Sequence, residues 1–223
     1  MVKALSYFRR RPELTVEAFQ DYWRSKHPEV VTRLPGIRGY VQSHTRIEGY
    51  RKARPLYDGI AEVWFDDTAA MRALAGTPAI KAVEADEAQF IDRSTMGLLI
   101  VEEHVIKGAP APRGGVKNVE FVTRRPGMDV DAFQRYWREI HGPLAATIPV
   151  IRRYVQSHVR RSAYEGGRRP AWDGVAISWF DDTAAMRASA AGPEYARVRA
   201  DEANFVAPDL PFIITREHVI IAP

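Results

Sequence analysis

Tyr136-Trp137-Arg138-Glu139-Ile140-His141-Gly142-Pro143-Leu144, with Arg153-Tyr154-Val155-Gln156-Ser157-His158 shortly after it, decides how this chain is read. A near copy stands 114 residues earlier: Tyr22-Trp23-Arg24-Ser25-Lys26-His27-Pro28, then Gly39-Tyr40-Val41-Gln42-Ser43-His44. The repetition extends outward. Arg10-Arg11-Pro12 returns as Arg124-Arg125-Pro126, Asp58-Gly59 as Asp173-Gly174, and Trp64 to Ala73 as Trp179 to Ala188. Asp86-Glu87-Ala88 returns as Asp201-Glu202-Ala203, and Glu103-His104-Val105-Ile106 as Glu217-His218-Val219-Ile220. Two copies are too few for a solenoid, so the 223 residues are one domain written twice. Gly108-Ala109-Pro110-Ala111-Pro112-Arg113-Gly114-Gly115 lacks apolar periodicity and reads as a linker between domains at 1–107 and 116–223.

Each copy predicts strand, helix, strand, strand, helix, strand. The first helix opens at Thr15 or Asp129, both N-cap residues. It carries Val16, Phe19 and Trp23, or Val130, Phe133 and Trp137, at the i, i+3, i+7 spacing of one helical face. His27 and His141 fall four residues further along, and Pro28 or Gly142-Pro143 is expected to end the helix. A βαββαβ unit is the ferredoxin-like arrangement, α+β in class, with helices on one face of its sheet. The bare face needs a cover, and the second copy can supply it. Two ferredoxin-like domains packed sheet to sheet would make an intramolecular α+β barrel, with the site in the space between the sheets.

Strand alternation assigns side chains to that space. Tyr40, Gln42 and His44 share one polar face, repeated by Tyr154, Gln156 and His158, and this face is expected to turn away from the helices. Glu62 and Trp64 would join it, with Ile177 and Trp179 in the copy, and so would Ser6 and Glu120. The two halves would then differ in chemistry, Glu62 standing against Ile177 and Ser6 against Glu120.

The six histidines form three matched pairs, His27/His141, His44/His158 and His104/His218. An imidazole near a carboxylate, walled by Tyr and Trp, suits proton transfer next to a carbonyl. The candidate catalytic residues are His44, His158, Glu62, Glu120, Tyr40, Tyr154, His27 and His141. Trp64, Trp179, Gln42 and Gln156 are the candidate substrate contacts. Structural roles compete with these: His27 and His141 could bond helix-end carbonyls, His104 and His218 could be inter-strand pairs, and Asp66-Asp67 with its copy suits capping.

Composition excludes several classes. At 46% hydrophobic and 27% charged residues the chain is ordinary globular protein. The net charge of +4 is scattered among acids, which argues against nucleic acid. No apolar run approaches the ~18 residues of a membrane span. The start lacks the apolar core of a signal peptide. Cysteine is absent, which removes disulfides and thiolate metal sites and suits the cytoplasm. No His-Glu-x-x-His, phosphate loop, Gly-x-Ser-x-Gly or Gly-x-Gly-x-x-Gly occurs, and no compact ligand spacing supports a metal.

Phe133-x-x-Tyr136-Trp137-Arg138-x-x-His141-Gly142-Pro143-Leu144, then Pro149-x-Ile151-x-x-Tyr154-x-Gln156-x-His158, Asp173-Gly174 and Trp179-Phe180-Asp181-Asp182 resemble the EthD family, in both copies. The resemblance implies the dimeric α+β barrel superfamily, here as a tandem that is either a pseudo-dimeric monomer or a homodimer. The first copy departs from the pattern at Pro28 and the second at Ile177. Barrels of this superfamily include cyclases, dehydratases, isomerases, cofactor-free monooxygenases and haem enzymes. The expected activity is cofactor-independent acid/base catalysis, as a lyase, cyclase, dehydratase or isomerase, on an aromatic or polyketide-like molecule. The alternatives are a haem-dependent or cofactor-free oxygenase, and a non-catalytic protein that binds small molecules for an oxidative pathway.

Overall fold

The computed structural model describes residues 1–51 and 53–223. The chain is mixed α+β and divides into two units, Met1–Ile100 with Glu217–Pro223, and Val101–Arg216. The division falls inside two strands and not in the expected linker at 108–115, because β4 (Ile91–Gly108) and β8 (Phe212–Ile221) each run across a boundary.

The first unit contains β1 (Val2–Arg10), α1 (Val16–Ser25), α2 (Pro28–Val31), β2 (Ile37–Thr45), β3 (Gly59–Phe65), α3 (Thr68–Arg72) and α4 (Pro78–Phe90). The second contains β5 (Val116–Val122), α5 (Val130–Tyr136), α6 (Gly142–Ala146), β6 (Arg153–Val159), β7 (Gly174–Phe180), α7 (Thr183–Ser189) and α8 (Pro193–Glu202). The first sheet pairs β1 and β2 on either side of β3, all antiparallel. In the second the order β8-β5-β7-β6 is that of a ferredoxin-like sheet.

Local chemistry explains the repeated acids. Thr15 caps α1 by accepting from Ala18 N at 3.1 Å, and Asp129 caps α5. Asp67 and Asp182 cap α3 and α7, while their neighbours Asp66 and Asp181 pair with Arg38 and Arg152 on the surface. Asp58 accepts from Arg10 N, Arg10 Nη1 and the Tyr50 hydroxyl, and Asp173 binds Arg124 and Tyr164 in the same way. The Asp of Asp-Gly therefore ties the end of the first strand to the loop before the third.

The helix carrying the histidine differs between copies. In the first, α1 stops at Ser25, His27 lies in the break, and Pro28 opens α2, where its missing N–H costs nothing. In the second the expected stop at Gly142-Pro143 does not occur. A π-type turn, Trp137–His141, carries the helix straight into α6. Such turns absorb one extra residue and recur at functional sites.

The helix-facing sides of the sheets bury aromatic clusters, Phe8, Phe19, Trp23 and Phe90 in the first unit and Phe133, Trp137 and Phe205 in the second. Register fixes which side chains join them. Tyr40 lies opposite Val63, Gln42 opposite Ala61 and His44 opposite Gly59, and residues directly opposite share a face. Gly59 has no side chain because Trp23 occupies that space: a Cβ there would sit 2.4 Å from the indole. Gly174 meets Trp137 in the same way, at 2.5 Å.

Candidate functional site

A cavity of about 340 Å³ lies between the sheet and the helices of the first unit. Its walls are mostly apolar, with Ala4, Leu34, Val63, Ile80 and Val83 among them. Five titratable groups line it: Glu84 of α4 and Arg93 of β4 are exposed, and the other three are His27 from the break after α1, Tyr40 from β2 and Glu87 from α4.

His27 is buried, and its Nδ1–H donates to Asp86 Oδ2 at 2.6 Å. The other oxygen of Asp86 accepts from the Tyr22 hydroxyl at 2.8 Å, which fixes the carboxylate. Nε2 of His27 has no hydrogen-bond partner among the described residues. Burial pushes His27 below its ordinary pKa, against the opposing pull of Asp86, so the ring is neutral at pH 7. A neutral imidazole with its tautomer fixed by a carboxylate is a base at Nε2.

Tyr40 is held by a chain of donors. His44 Nε2–H donates to Gln42 Oε1 at 3.0 Å, which turns the Gln42 amide nitrogen toward Trp23 O at 2.7 Å and Tyr40 Oη at 2.9 Å. Trp23 Nε1–H also donates to Tyr40 Oη, at 3.2 Å. Two donors occupy the acceptor positions of the hydroxyl and leave its own proton for a ligand. Burial raises the Tyr40 pKa, so the proton stays on. Glu87, with no ion pair among the described residues, is pushed by burial up to about 7.

The second unit repeats the frame. His141 Nδ1–H donates to Asp201 Oδ2 at 2.9 Å, and Asp201 accepts from Tyr136 at 2.7 Å. His158, Gln156, Trp137 and Tyr154 form the same donor chain. The space is different, at about 60 Å³, and its lining includes Asn118, Glu120, Ser178, Tyr195 and Glu202. Glu202 is likewise pushed by burial up to about 7, although Arg199 stands 2.7 Å away.

The expected face assignment is corrected for four strands, β1, β2, β5 and β6. Tyr40, Gln42 and His44, with Tyr154, Gln156 and His158, face the helices, because their polar groups are satisfied by Trp23, Trp137 and one another. Ser6 and Glu120 also face the helices and line the cavities. Glu62 and Trp64 do face the opposite side, away from the cavity of about 340 Å³. Glu62 meets Lys3 Nζ in a buried ion pair at 2.8 Å, and Lys3 lies over the Trp64 ring at 5.3 Å. Lys117 and Arg153 lie over Trp179. His44 and His158 are each stacked flat on a Trp, at 4.2 and 4.4 Å, and edge-on to His218 and His104. Burial, with the second histidine adding to it, pushes them down to about 2 and about 3, so neither takes a proton near neutrality. Gln42 and Gln156 reach the cavities only through the tyrosines they support.

Asp86, Glu87 and their copies were not among the expected site residues. Their signal was the repeated Asp-Glu doublet, which on α4 and α8 directs one acid to the histidine and the next to the cavity. Among the described residues no group of three or more His, Asp or Glu side chains could hold a metal ion, and no helix is long and apolar enough to cross a membrane.

The family model described as the EthD domain matches residues 11–94 and 125–209. No match is found among curated proteins. Among solved structures, the chain is similar to an anthrone oxidase-like protein at 12% identity, covering 98% of this chain and 92% of that one, TM-score 0.64. A putative monooxygenase from Fusobacterium nucleatum matches at 8% identity, covering 100% and 95%, TM-score 0.61. A haem-binding protein from Thermus thermophilus matches at 14% identity, covering 97% and 90%, TM-score 0.55. At these identities the likeness is one of fold. The first cavity does not have the size for haem. Nε2 of His27 has the donor chemistry of an axial ligand. The cavity of about 340 Å³, however, lies at the lower end for small-molecule pockets and is smaller than a porphyrin.

Proposed function

The chain belongs to the EthD family, and because a family does not fix a reaction, we propose a function from the first cavity itself. The reading is cofactor-independent acid/base catalysis on an apolar, aromatic or polyketide-like molecule, of the lyase, cyclase, dehydratase or isomerase type. The observation that carries it is His27, whose Nδ1 is held by Asp86 while Nε2 is left to an apolar cavity.

His27 Nε2 removes a proton from a carbon next to a carbonyl. The C–H electron pair moves into the enolate, and Tyr40 donates its hydrogen bond to the oxygen where charge builds. Glu87, protonated below about 7, supplies the proton needed by a departing hydroxyl or by a carbon acceptor. Burial lowers the base and raises the acid, so each is in its working form near neutrality. His44 and Gln42 are positioning residues that act through Tyr40.

The first step can be tested without knowing the natural substrate. The probe is 2-tetralone, an apolar aromatic ketone, in D2O, with exchange of its α-protons followed by NMR. The protein should accelerate exchange above buffer, and His27→Gln should remove the acceleration. Tyr40→Phe should slow the exchange while leaving tetralone affinity within about twofold. Identical rates under nitrogen and air would separate this chemistry from oxygenation. Tight binding of tetralone with exchange at the buffer rate would overturn the reading in favour of a binding protein.

A further inference from the structure

The small pocket of the second unit differs in kind from the first cavity. Ala4 and Ser6 are replaced by Asn118 and Glu120 on the same inward row of the first strand of the repeat. Asn118 Nδ2 donates to Glu120 Oε1 at 3.0 Å. Asn118 Oδ1 is buried without a hydrogen-bond partner. Glu120 makes no other hydrogen bond among the described residues, and its carboxyl is pushed up by burial. His141 commits Nδ1 to Asp201 and leaves Nε2 unbonded. Glu202, the other acid of the pocket, is already paired with Arg199.

A side chain that merely filled space here would not need to be a carboxyl, because burying an acid that has one amide donor and, among the described residues, no ion pair destabilises the fold. The acceptors of the lining therefore ask for N–H donors, since Arg199, the cation of the same lining, is taken up by Glu202. Three acceptors, Asn118 Oδ1, Glu120 and His141 Nε2, belong to the wall of one pocket, which Tyr154, Tyr195, Arg199 and apolar side chains such as Ile148 and Phe180 also line. Aromatic faces attract a cation. About 60 Å³ leaves room for about two water-sized groups. We propose that this pocket binds the head of a small primary ammonium compound, whose three N–H donors answer those three acceptors.

The probe is methylammonium chloride, titrated by calorimetry into the full chain at constant ionic strength. Saturable binding in the millimolar range is expected. Tetramethylammonium, which has no N–H and more bulk, should bind at least tenfold more weakly, and methanol should not bind. Glu120→Ser installs the residue that the first copy carries at this place, and should weaken methylammonium at least tenfold. Glu120→Gln keeps the shape and should weaken it similarly, which decides the matter if the serine variant does not fold. Equal binding of the two ammonium ions, undiminished binding in Glu120→Gln, or no heat up to 100-fold molar excess at millimolar protein would each overturn the proposal.

Discussion

In the first unit Ala4, Val63 and Ile80 border a cavity of about 340 Å³; in the second, Asn118, Ser178 and Tyr195 stand at the same places and about 60 Å³ remains. Around both spaces the frame is unchanged. Each has a His–Asp pair supported by a Tyr, and each has a Trp–Tyr–Gln–His chain of donors. The frame was retained while the lining diverged, because the two carry different physical constraints. A buried hydrogen-bonded network loses stability when any member is left unpaired, so its parts change together or not at all. A cavity wall tolerates any side chain that finds partners or space. The comparison thus separates what holds each unit together from what each unit can bind.

The largest expected effect tests whether only the first frame works on large ligands. His27→Ala should reduce tetralone exchange by roughly 10²–10⁴-fold, the usual range for a general base, whereas His141→Ala should leave it within about twofold. Equal losses from the two variants would remove the distinction between the cavities. Below this comes packing, where the units should respond alike. Gly59→Ala and Gly174→Ala each drive a methyl into an indole, at 2.4 and 2.5 Å, and should each cost about 1–3 kcal/mol in urea unfolding. A cost in one copy and none in the other would show that the frames are not equivalent.

Smaller again is conversion of one lining toward the other. Ile80→Tyr places in the first cavity the residue that the second carries at Tyr195, and should weaken tetralone binding about tenfold without altering the melting temperature by more than about 2 °C. The smallest effect is on pH dependence. Glu87 and Glu202 have folded values of about 7, raised by burial above the ~4.3 of an exposed Glu. Each contributes stability that is complete below ~4.3 and is lost as pH rises through about 7. Glu87→Gln should therefore make unfolding free energy fall less steeply than in the wild type between pH 5 and 8. An unchanged slope would mean that Glu87 is hydrated in solution.

The duplicated ferredoxin-like pattern was legible because it rests on local chemistry. Thr15 and Asp129 cap helices, Phe19 and Trp23 recur at helical spacing, and two copies confirm each reading. The site was less legible. Tyr40, Gln42 and His44 look like a polar face and were expected to turn from the helices. Alternation says only that these three share a side; the pairing of Gln42 with Ala61 and of His44 with Gly59 says which side. Glu62 looked like a second acid for catalysis, yet its carboxylate is engaged by Lys3, 59 residues away in sequence. Nothing local in the chain announces that pairing.

By itself the sequence determined the repeat, the fold class, the capping residues and the short list of histidines, tyrosines and acids able to move protons. These follow from periodicity and side-chain chemistry, which act over a few residues. The tertiary structure alone decided which of them share a cavity. It placed His27 against Asp86, buried His44 behind Gln42, brought Glu87 to the wall and left one copy open and the other nearly filled. Those outcomes depend on strand register and on the volumes of side chains that meet from distant parts of the chain.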